Sequence, residues 1–278
     1  MRKRGSAPAL APPELGGDGL RYEKAPKMRK DNTTEARATL PSLSFVFPMY
    51  NEIGNIENCV AEALATGYKI TSDLEIVVVD DCSTDGCGAL ADQLATRHPE
   101  LNVVHHLKNR KLGGALRTGF AAASKDWILY IDSDLPIQMD DALKAIPLTA
   151  NADMVIGNRH GRAEGIKREI MSFVYNRLIR VLFGLKVRDV NFAFKLFRRA
   201  VVEQITLQSE GSFIDAELLI ETHRAGFTIA ELPMRYYERT AGVSTLAAGS
   251  VVVKILHEMA DYRRAAARRP ARPRPARP

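Results

Sequence analysis

Trp127-Ile128-Leu129-Tyr130-Ile131 runs directly into Asp132-Ser133-Asp134. A short apolar run rich in Ile and aromatic residues reads as a buried strand. Two carboxylates follow at its end. Strand alternation would put both Asp side chains on the same side. There they can hold Mg²⁺ or Mn²⁺ directly or through water, with a diphosphate filling the remaining positions. Taken alone, an Asp-x-Asp pair also fits two solvated acids. Its position after this strand, third in a series of polar strand ends, favours a site.

The other members of the series lie upstream. Leu43–Phe47 reads as a strand that Pro48 ends, because proline lacks an N–H; Met49, Tyr50, Asn51 and Glu52 follow. Tyr50 offers a flat face for a base to stack on, and Glu52 an acceptor for a base edge or a ribose hydroxyl. Leu74–Val79 is a second strand, closed by Asp80 and Asp81. Adjacent acids at the end of a buried strand are costly unless they bind something, so their carboxylates suit ribose hydroxyls or a base. Ser83 or Asp85 would cap the next helix.

Further strand patterns occur at Val103–His106 and Met154–Ile156, with helical patterns at Asn55–Ala65, Gly88–Arg97, Gly113–Ser124 and Asp140–Ala150. The alternation predicts an α/β fold, a mostly parallel sheet sandwiched by helices. Right-handed crossovers place the strand carboxyl ends along one edge, where such sheets bind ligands.

Two weaker clusters join them. Asn109-Arg110-Lys111-Leu112-Gly113-Gly114 opens a helix. Glycine lets backbone approach a ligand and a helix N-terminus favours anions; Arg117 lies four residues on, on the side of Gly113. After Gly157-Asn158-Arg159, residues Arg168, Ser172 and Asn176 recur every four positions, one helical face. That ridge suits a phosphate, with forked donation from Arg168 and a hydroxyl from Ser172. The stripe of Ile170, Phe173, Val174, Leu178, Val181 and Leu182 lies opposite.

In order and spacing, FPMYNE (47–52), VVVDDCSTDG (77–86), KLGGALRTGF (111–120), YIDSDL (130–135) and IGNR (156–159) resemble the family-2 inverting glycosyltransferases. Asp189-Val190-Asn191-Phe192-Ala193-Phe194-Lys195, then Glu217-Leu218-Leu219, Glu231-Leu232-Pro233, Arg239 and Gly242-Val243-Ser244, look like the dolichol-phosphate mannose synthase and polyprenyl-phosphate glycosyltransferase branch. The resemblance implies a GT-A (Rossmann-like) fold. It implies inverting transfer of a hexose, mannose or glucose favoured, from a GDP- or UDP-sugar donor to a polyprenyl phosphate acceptor. It implies a nucleotide-sugar site lined by Pro48, Tyr50, Glu52, Asp80 and Asp81, with Gly113, Arg117 and Ser133 beside it. Asp132 and Asp134 would serve the metal and diphosphate. Arg159, Arg168, Ser172 and Arg239 would face the acceptor phosphate or the donor diphosphate, with Asp134, Arg159 and Arg168 closest to the chemistry. Two positions depart from the branch: Pro136 stands where a Gln is usual, and Thr245 where a Lys is usual. The alternative reading is a soluble family-2 enzyme acting on a small-molecule or other lipid hydroxyl. A hydroxyl acceptor would want a carboxylate base, for which Asp189 and Glu217 are candidates.

The bulk composition is compatible with this. The 278 residues are 46% hydrophobic and 26% charged, with three cysteines and no metal-ligand spacing among them. No secretory leader or membrane-spanning run is legible, so the expected location is cytoplasmic, peripheral on the cytosolic face of a membrane. Of 39 Lys/Arg and 33 Asp/Glu, residues 1–41 and 263–278 together hold sixteen and five, leaving 23 and 28 for residues 42–262. The net +6 therefore belongs to the ends. Residues 1–41 and the Arg/Pro-rich 265–278 are expected to be disordered tails around a catalytic domain at 42–246. Residues 247–264 are expected to form an amphipathic helix. An anionic membrane surface is the expected partner of the basic end, and no nucleic acid is expected.

Overall fold

The structure, a computed structural model, describes residues 39–160, 166–237, 258–259 and 261–264, the side chains of 160 and 166–171 excepted. Seven strands form one sheet: β1 (Leu43–Met49), β2 (Leu74–Asp80), β3 (Leu101–His105), β4 (Trp127–Ile131), β5 (Met154–His160), β6 (Phe194–Arg198) and β7 (Ile229–Arg235). Their order across the sheet is β3-β2-β1-β4-β6-β5-β7. β3, β2, β1 and β4 are mutually parallel, as are β5 and β7, and β6 runs antiparallel to both its neighbours. The expected α/β sandwich with a mostly parallel sheet is what the chain forms.

Helices α1 (Ile56–Ile70), α2 (Cys87–Ala95), α3 (Lys111–Ala122), α4 (Ile166–Phe183), α5 (Arg199–Gln204) and α6 (Ile214–Arg224) surround the sheet. Strand alternation divides the core. Phe45, Phe47, Ile76, Val78 and Leu129 pack on one face with Ile56 and Cys59 of α1 and Ala91 of α2. Val46, Val77, Val79, Ile128 and Tyr130 pack on the other with Leu116 and Phe120 of α3, Ile179 of α4 and Leu218 of α6. α1 can do this because Ile56, Cys59, Val60, Ala63, Gly67 and Ile70 recur at helical spacing and all are buried.

Three local expectations need correction. Asp140–Ala150 is not an α-helix but two 3-10 turns, Met139–Lys144 and Ile146–Ala150. Pro147 cannot donate an N–H to a continuing helix. Second, Pro48 does not end β1, which runs on through Met49. The Met49 carbonyl accepts from Asp81 N in the β2 direction, so Pro48 faces β4, where pairing has already stopped at Val46–Tyr130. The missing N–H therefore costs no ladder bond. Third, Leu40, inside the stretch expected to be a disordered tail, is buried and donates its N–H to Ile70 O. Residues 1–38, most of the expected helix 247–264, and 265–278 lie outside the described residues. No helix among the described residues is long and apolar enough to cross a membrane.

Candidate active site

The strand order reverses beside β1. The chain steps outward from β1 to β2 to β3, then returns to place β4 on the other flank of β1. Ligands of such sheets bind in the crevice outside the carboxyl ends at this switch point. Those ends carry Tyr50–Glu52, Asp80–Asp81, His105–His106 and Asp132–Asp134. β6 enters from the same edge, since Phe194 pairs with Ile131, and so brings Asn191–Ala193 there.

The loops after β1 and β2 are laced together. Asn51 N donates to Ser83 Oγ at 3.0 Å, Thr84 N to Asn51 Oδ1 at 2.8 Å, and Ile53 N to Asp85 Oδ2 at 2.9 Å. Asn51 takes a left-handed φ of 57°, which Asn tolerates better than most residues. Asp85 Oδ1 accepts from Cys87 N at 3.0 Å, so Asp85 rather than Ser83 meets the start of α2. Tyr50 is half exposed on top of this lattice, Pro48 and Glu52 are partly buried, and Asn55 Nδ2 donates to Glu52 Oε2 at 2.6 Å.

Asp80 and Asp81 both make contacts within the chain. They are 6% and 3% exposed, and each has its own histidine. Asp80 Oδ2 lies 2.9 Å from His105 Nδ1, and Asp81 Oδ1 lies 2.7 Å from His106 Nδ1. The register pairs Asp80 with His105, which makes the two Asp–His contacts neighbours across β2 and β3. Burial pushes the Asp80 carboxyl up, but hydrogen bonds from Ser83 and His105 together outweigh it and leave the group below its ordinary range.

Asp132, Ser133 and Asp134 lie just past β4 in a turn closed by Leu135 N to Asp132 O at 3.1 Å, with Leu135 at φ 48°. The turn, not strand alternation, sets their directions. Ser133 is buried and donates to Pro48 O at 3.1 Å, while Asp132 and Asp134 on either side stay partly exposed. Tyr130 OH donates to Asp132 Oδ1 at 2.9 Å. Paired hard oxygen donors fit Mg²⁺ or Mn²⁺ completed by diphosphate and water. Among the described residues no third His, Cys, Asp or Glu joins them. Pro136 is buried and its carbonyl accepts from Tyr237 N at 2.8 Å; Gln138 is exposed.

Other expected site residues divide. Arg159 Nε sits 3.0 Å from Asp189 Oδ2, with its guanidinium 5.1 Å from the centre of the Tyr236 ring. Beyond the carboxyl end of β4 and at that of β5, these groups extend the same edge. Ser172, partly buried, accepts from Asn176 Nδ2 at 3.3 Å, and Asn176 Oδ1 accepts from Val190 N at 3.1 Å. That face of α4 therefore also braces the segment carrying Asp189. The opposite stripe is not uniformly buried. Leu178 and Leu182 pack inward, but Phe173, Val174 and Val181 are 71%, 57% and 65% exposed. The Arg168 side chain and all of Arg239 lie outside the described residues.

Gly113 and Arg117, in the helix whose N-terminal Arg110 N donates to Asp81 Oδ1, face residues 208–210. Gly113 N donates to Glu210 O at 2.8 Å, and a Cβ there would meet Ser209 O at 2.2 Å. Arg117 donates to Gln208 O at 3.2 Å and to Glu210 Oε1 at 3.0 Å. The close approach that glycine permits is made to the chain itself. Glu217 likewise is fully buried and accepts from Gln208 N and Ser209 N at 2.9 and 2.8 Å, so it is not placed to act as a base.

Sequence reasoning missed Tyr130, His105, His106 and the Lys195–Asp215 pair. Lys195 is 1% exposed, donates to Asp215 Oδ1 at 2.6 Å and to Phe192 O at 2.9 Å, and lies 5.2 Å from the Tyr130 ring centre. Two histidines ending β3 opposite two aspartates ending β2 was a readable signal.

The doubly wound sheet, with acidic carboxyl ends on both flanks of its switch point, has the GT-A-type α/β architecture. Residues 44–206 match the glycosyl transferase family 2 description, and the chain belongs to that family. It is 30% identical over 237 residues to polyprenol monophosphomannose synthase of Mycolicibacterium smegmatis, covering 78% of this chain and 85% of that one. It is 28% identical over 226 residues to undecaprenyl-phosphate mannosyltransferase of Micrococcus luteus, covering 74% and 88%. Among solved structures it is similar to glucosyl-3-phosphoglycerate synthase of Mycobacterium tuberculosis in complex with Mn²⁺, UDP-glucose and phosphoglyceric acid. That match has a TM-score of 0.62 at 20% identity and covers 79% of this chain and 80% of the other.

Proposed function

We propose that this glycosyltransferase transfers a hexose, mannose or glucose, from a GDP- or UDP-sugar to a polyprenyl phosphate, with inversion at the anomeric carbon. One observation supports the reading: the acids ending β1, β2 and β4 lie along the carboxyl edge of one sheet, on both flanks of its switch point, in a chain similar over most of its length to a polyprenol monophosphomannose synthase and an undecaprenyl-phosphate mannosyltransferase.

In this reading Tyr50 and Glu52 receive the nucleoside with Asp81. Asp132 and Asp134 hold Mg²⁺ or Mn²⁺, which would neutralise charge growing on the leaving diphosphate. Ser133, tied to Pro48 O, fixes the turn between them. Arg159, held by Asp189 and Tyr236, is a preset cation for the acceptor phosphate, aided by Arg168, Ser172 and Arg239. An acceptor phosphate is already anionic at neutral pH, so no general base is needed. Positioning and electrostatics then supply most of the acceleration.

A lipid acceptor calls for a membrane surface. The exposed face of α4 combines Phe173, Val174 and Val181 with exposed Arg177 and Arg180, which suits peripheral contact with anionic lipid. Arg263 to Arg277 adds seven arginines.

The test is incubation with a panel of GDP- and UDP-sugars and Mn²⁺, with and without polyprenyl phosphate, and product identification by mass. A hexosyl polyprenyl phosphate supports the reading. Transfer only to a soluble acceptor overturns it.

A further inference from the structure

The two aspartates that close the β2 end differ in how far the chain itself consumes them. Both oxygens of Asp80 are engaged. Oδ1 accepts from Ser83 N at 2.9 Å and Oδ2 lies 2.9 Å from His105 Nδ1. A Cβ on Gly88 would stand 2.5 Å from that same Oδ2, so α2 already closes on it. Asp81 is engaged on one side. Its Oδ1 accepts from Arg110 N at 2.7 Å and faces His106 Nδ1 at 2.7 Å. No hydrogen bond to its Oδ2 is made among the described residues.

The hydrogen-bond roles of the two His106 ring nitrogens follow from their neighbours. Its Nε2 lies 2.9 Å from Thr118 Oγ1, and Arg110 Nη1 reaches that same oxygen at 3.5 Å. A carboxylate oxygen accepts, so the Nδ1 that faces Asp81 Oδ1 at 2.7 Å is the ring nitrogen that carries hydrogen, and Thr118 Oγ1 is the partner of the other. The side chains of His106 and Asp81 are 7% and 4% exposed, which shields the contact from water.

We infer that His106, locked by Thr118, is a positioning residue for the donor nucleotide. It saturates Oδ1 of Asp81 together with Arg110 N, and so presents Oδ2 as the acceptor for an N–H edge of the donor's base. Guanine and uracil both carry an N–H beside a carbonyl and fit this acceptor. Asp80, with both oxygens used, is an anchor of the loop. The inference rests on reading the crevice as a nucleotide-sugar site.

The experiment is calorimetric titration of GDP and of UDP, with Mn²⁺, into wild type, His106→Leu, His106→Asn and Thr118→Val, alongside donor kinetics. Wild type should bind at least one of the two. His106→Leu should weaken that binding about tenfold, the scale of one hydrogen bond to a charged group. His106→Asn places an amide N–H near the position of Nδ1–H and should recover most of the loss. Thr118→Val should cost about threefold, since it removes the hydrogen bond that holds the ring at Nε2 without emptying the pocket. The KM for the donor should rise while kcat stays within about twofold, because a uniform binding contact is lost. Melting curves identify any variant that does not fold, and the Asn and Val variants then carry the test. Unchanged binding in His106→Leu, or a fall in kcat at constant KM, overturns the inference alone. A wild type that binds neither nucleotide overturns it together with the functional reading.

Discussion

Tyr130 donates its hydroxyl to Oδ1 of Asp132 at 2.9 Å from a ring that is fully buried in β4. Burial, and after it the charge of Asp132, pushes the phenol well above its ordinary range, so it stays a proton donor at every working pH. Tyr130→Phe removes this bond and little else. Stability should hold within about 1 kcal/mol, while the Mn²⁺ concentration for half-maximal rate rises roughly tenfold. Asp132→Asn and Asp134→Asn should go further and cut transfer about a hundredfold or more, with the fold retained. Thermal melts and Mn²⁺ titrations of the rate check both expectations. Near-normal turnover in either Asn variant with metal still required would count against the metal assignment.

Lys195 and Asp215 form an ion pair at 2.6 Å with side chains 1% and 7% exposed. Burial raises the Asp215 carboxyl, opposed by the charge and hydrogen bond of Lys195. Lys195→Met should cost about 3–5 kcal/mol, because it leaves a buried acid without its cation. Lys195→Met with Asp215→Leu should restore most of that. Urea unfolding of the three proteins decides it, and a double variant no more stable than the single one would contradict the pair's role.

His105 is raised above its ordinary 6.5 by hydrogen bonds to Asp92 and then Asp80. A raised histidine contributes stability that is complete below 6.5 and fades as pH climbs through the raised value. Asp80, lowered from 3.8, contributes above that value and loses its contribution as pH falls through the lowered one. Stability from this pair should therefore be greatest between the two ordinary values. His105→Gln should show a smaller fall in Tm than wild type between about pH 6 and about pH 9. An identical pH profile in the two proteins would refute the coupling.

Much of the carboxyl edge that carries the candidate site was legible because strand ends are marked by local chemistry. Trp127–Ile131 is apolar until Asp132, and β4 has those bounds. The failures came where a distant segment overrides a local signal. Pro48 reads as a stop, yet it continues β1 because its missing N–H faces a strand that has already turned away. Gly113 and Arg117 read as a ligand cradle, with no sign in the sequence that Ser209 and Glu210, nearly a hundred positions on, pack against them. No local pattern reveals such a partner. The α4 stripe has helical period, but period alone does not say whether Phe173 meets protein or water. The pairing of His105 and His106 with Asp80 and Asp81 needed only the β2–β3 register.

Membrane attachment is expected to be peripheral and salt-sensitive. Basic groups near an anionic leaflet contribute about 1 kcal/mol each and are screened within a Debye length of about 8 Å. Sedimentation with vesicles of anionic lipid should retain the protein at low salt and release it at high salt. Phe173→Ser with Val181→Ser, and deletion after Tyr262, should each reduce retention. Equal binding to neutral vesicles would contradict the electrostatic part, and no binding to either would remove the membrane from the account.

The most direct test of the account is the phosphorus and proton NMR spectrum of the product made from an α-linked GDP- or UDP-hexose and polyprenyl phosphate. A single β-anomeric hexose coupled to one phosphodiester phosphorus is the result expected of inverting transfer to a lipid phosphate. An α-anomer, or a sugar attached to anything other than phosphate, would contradict it.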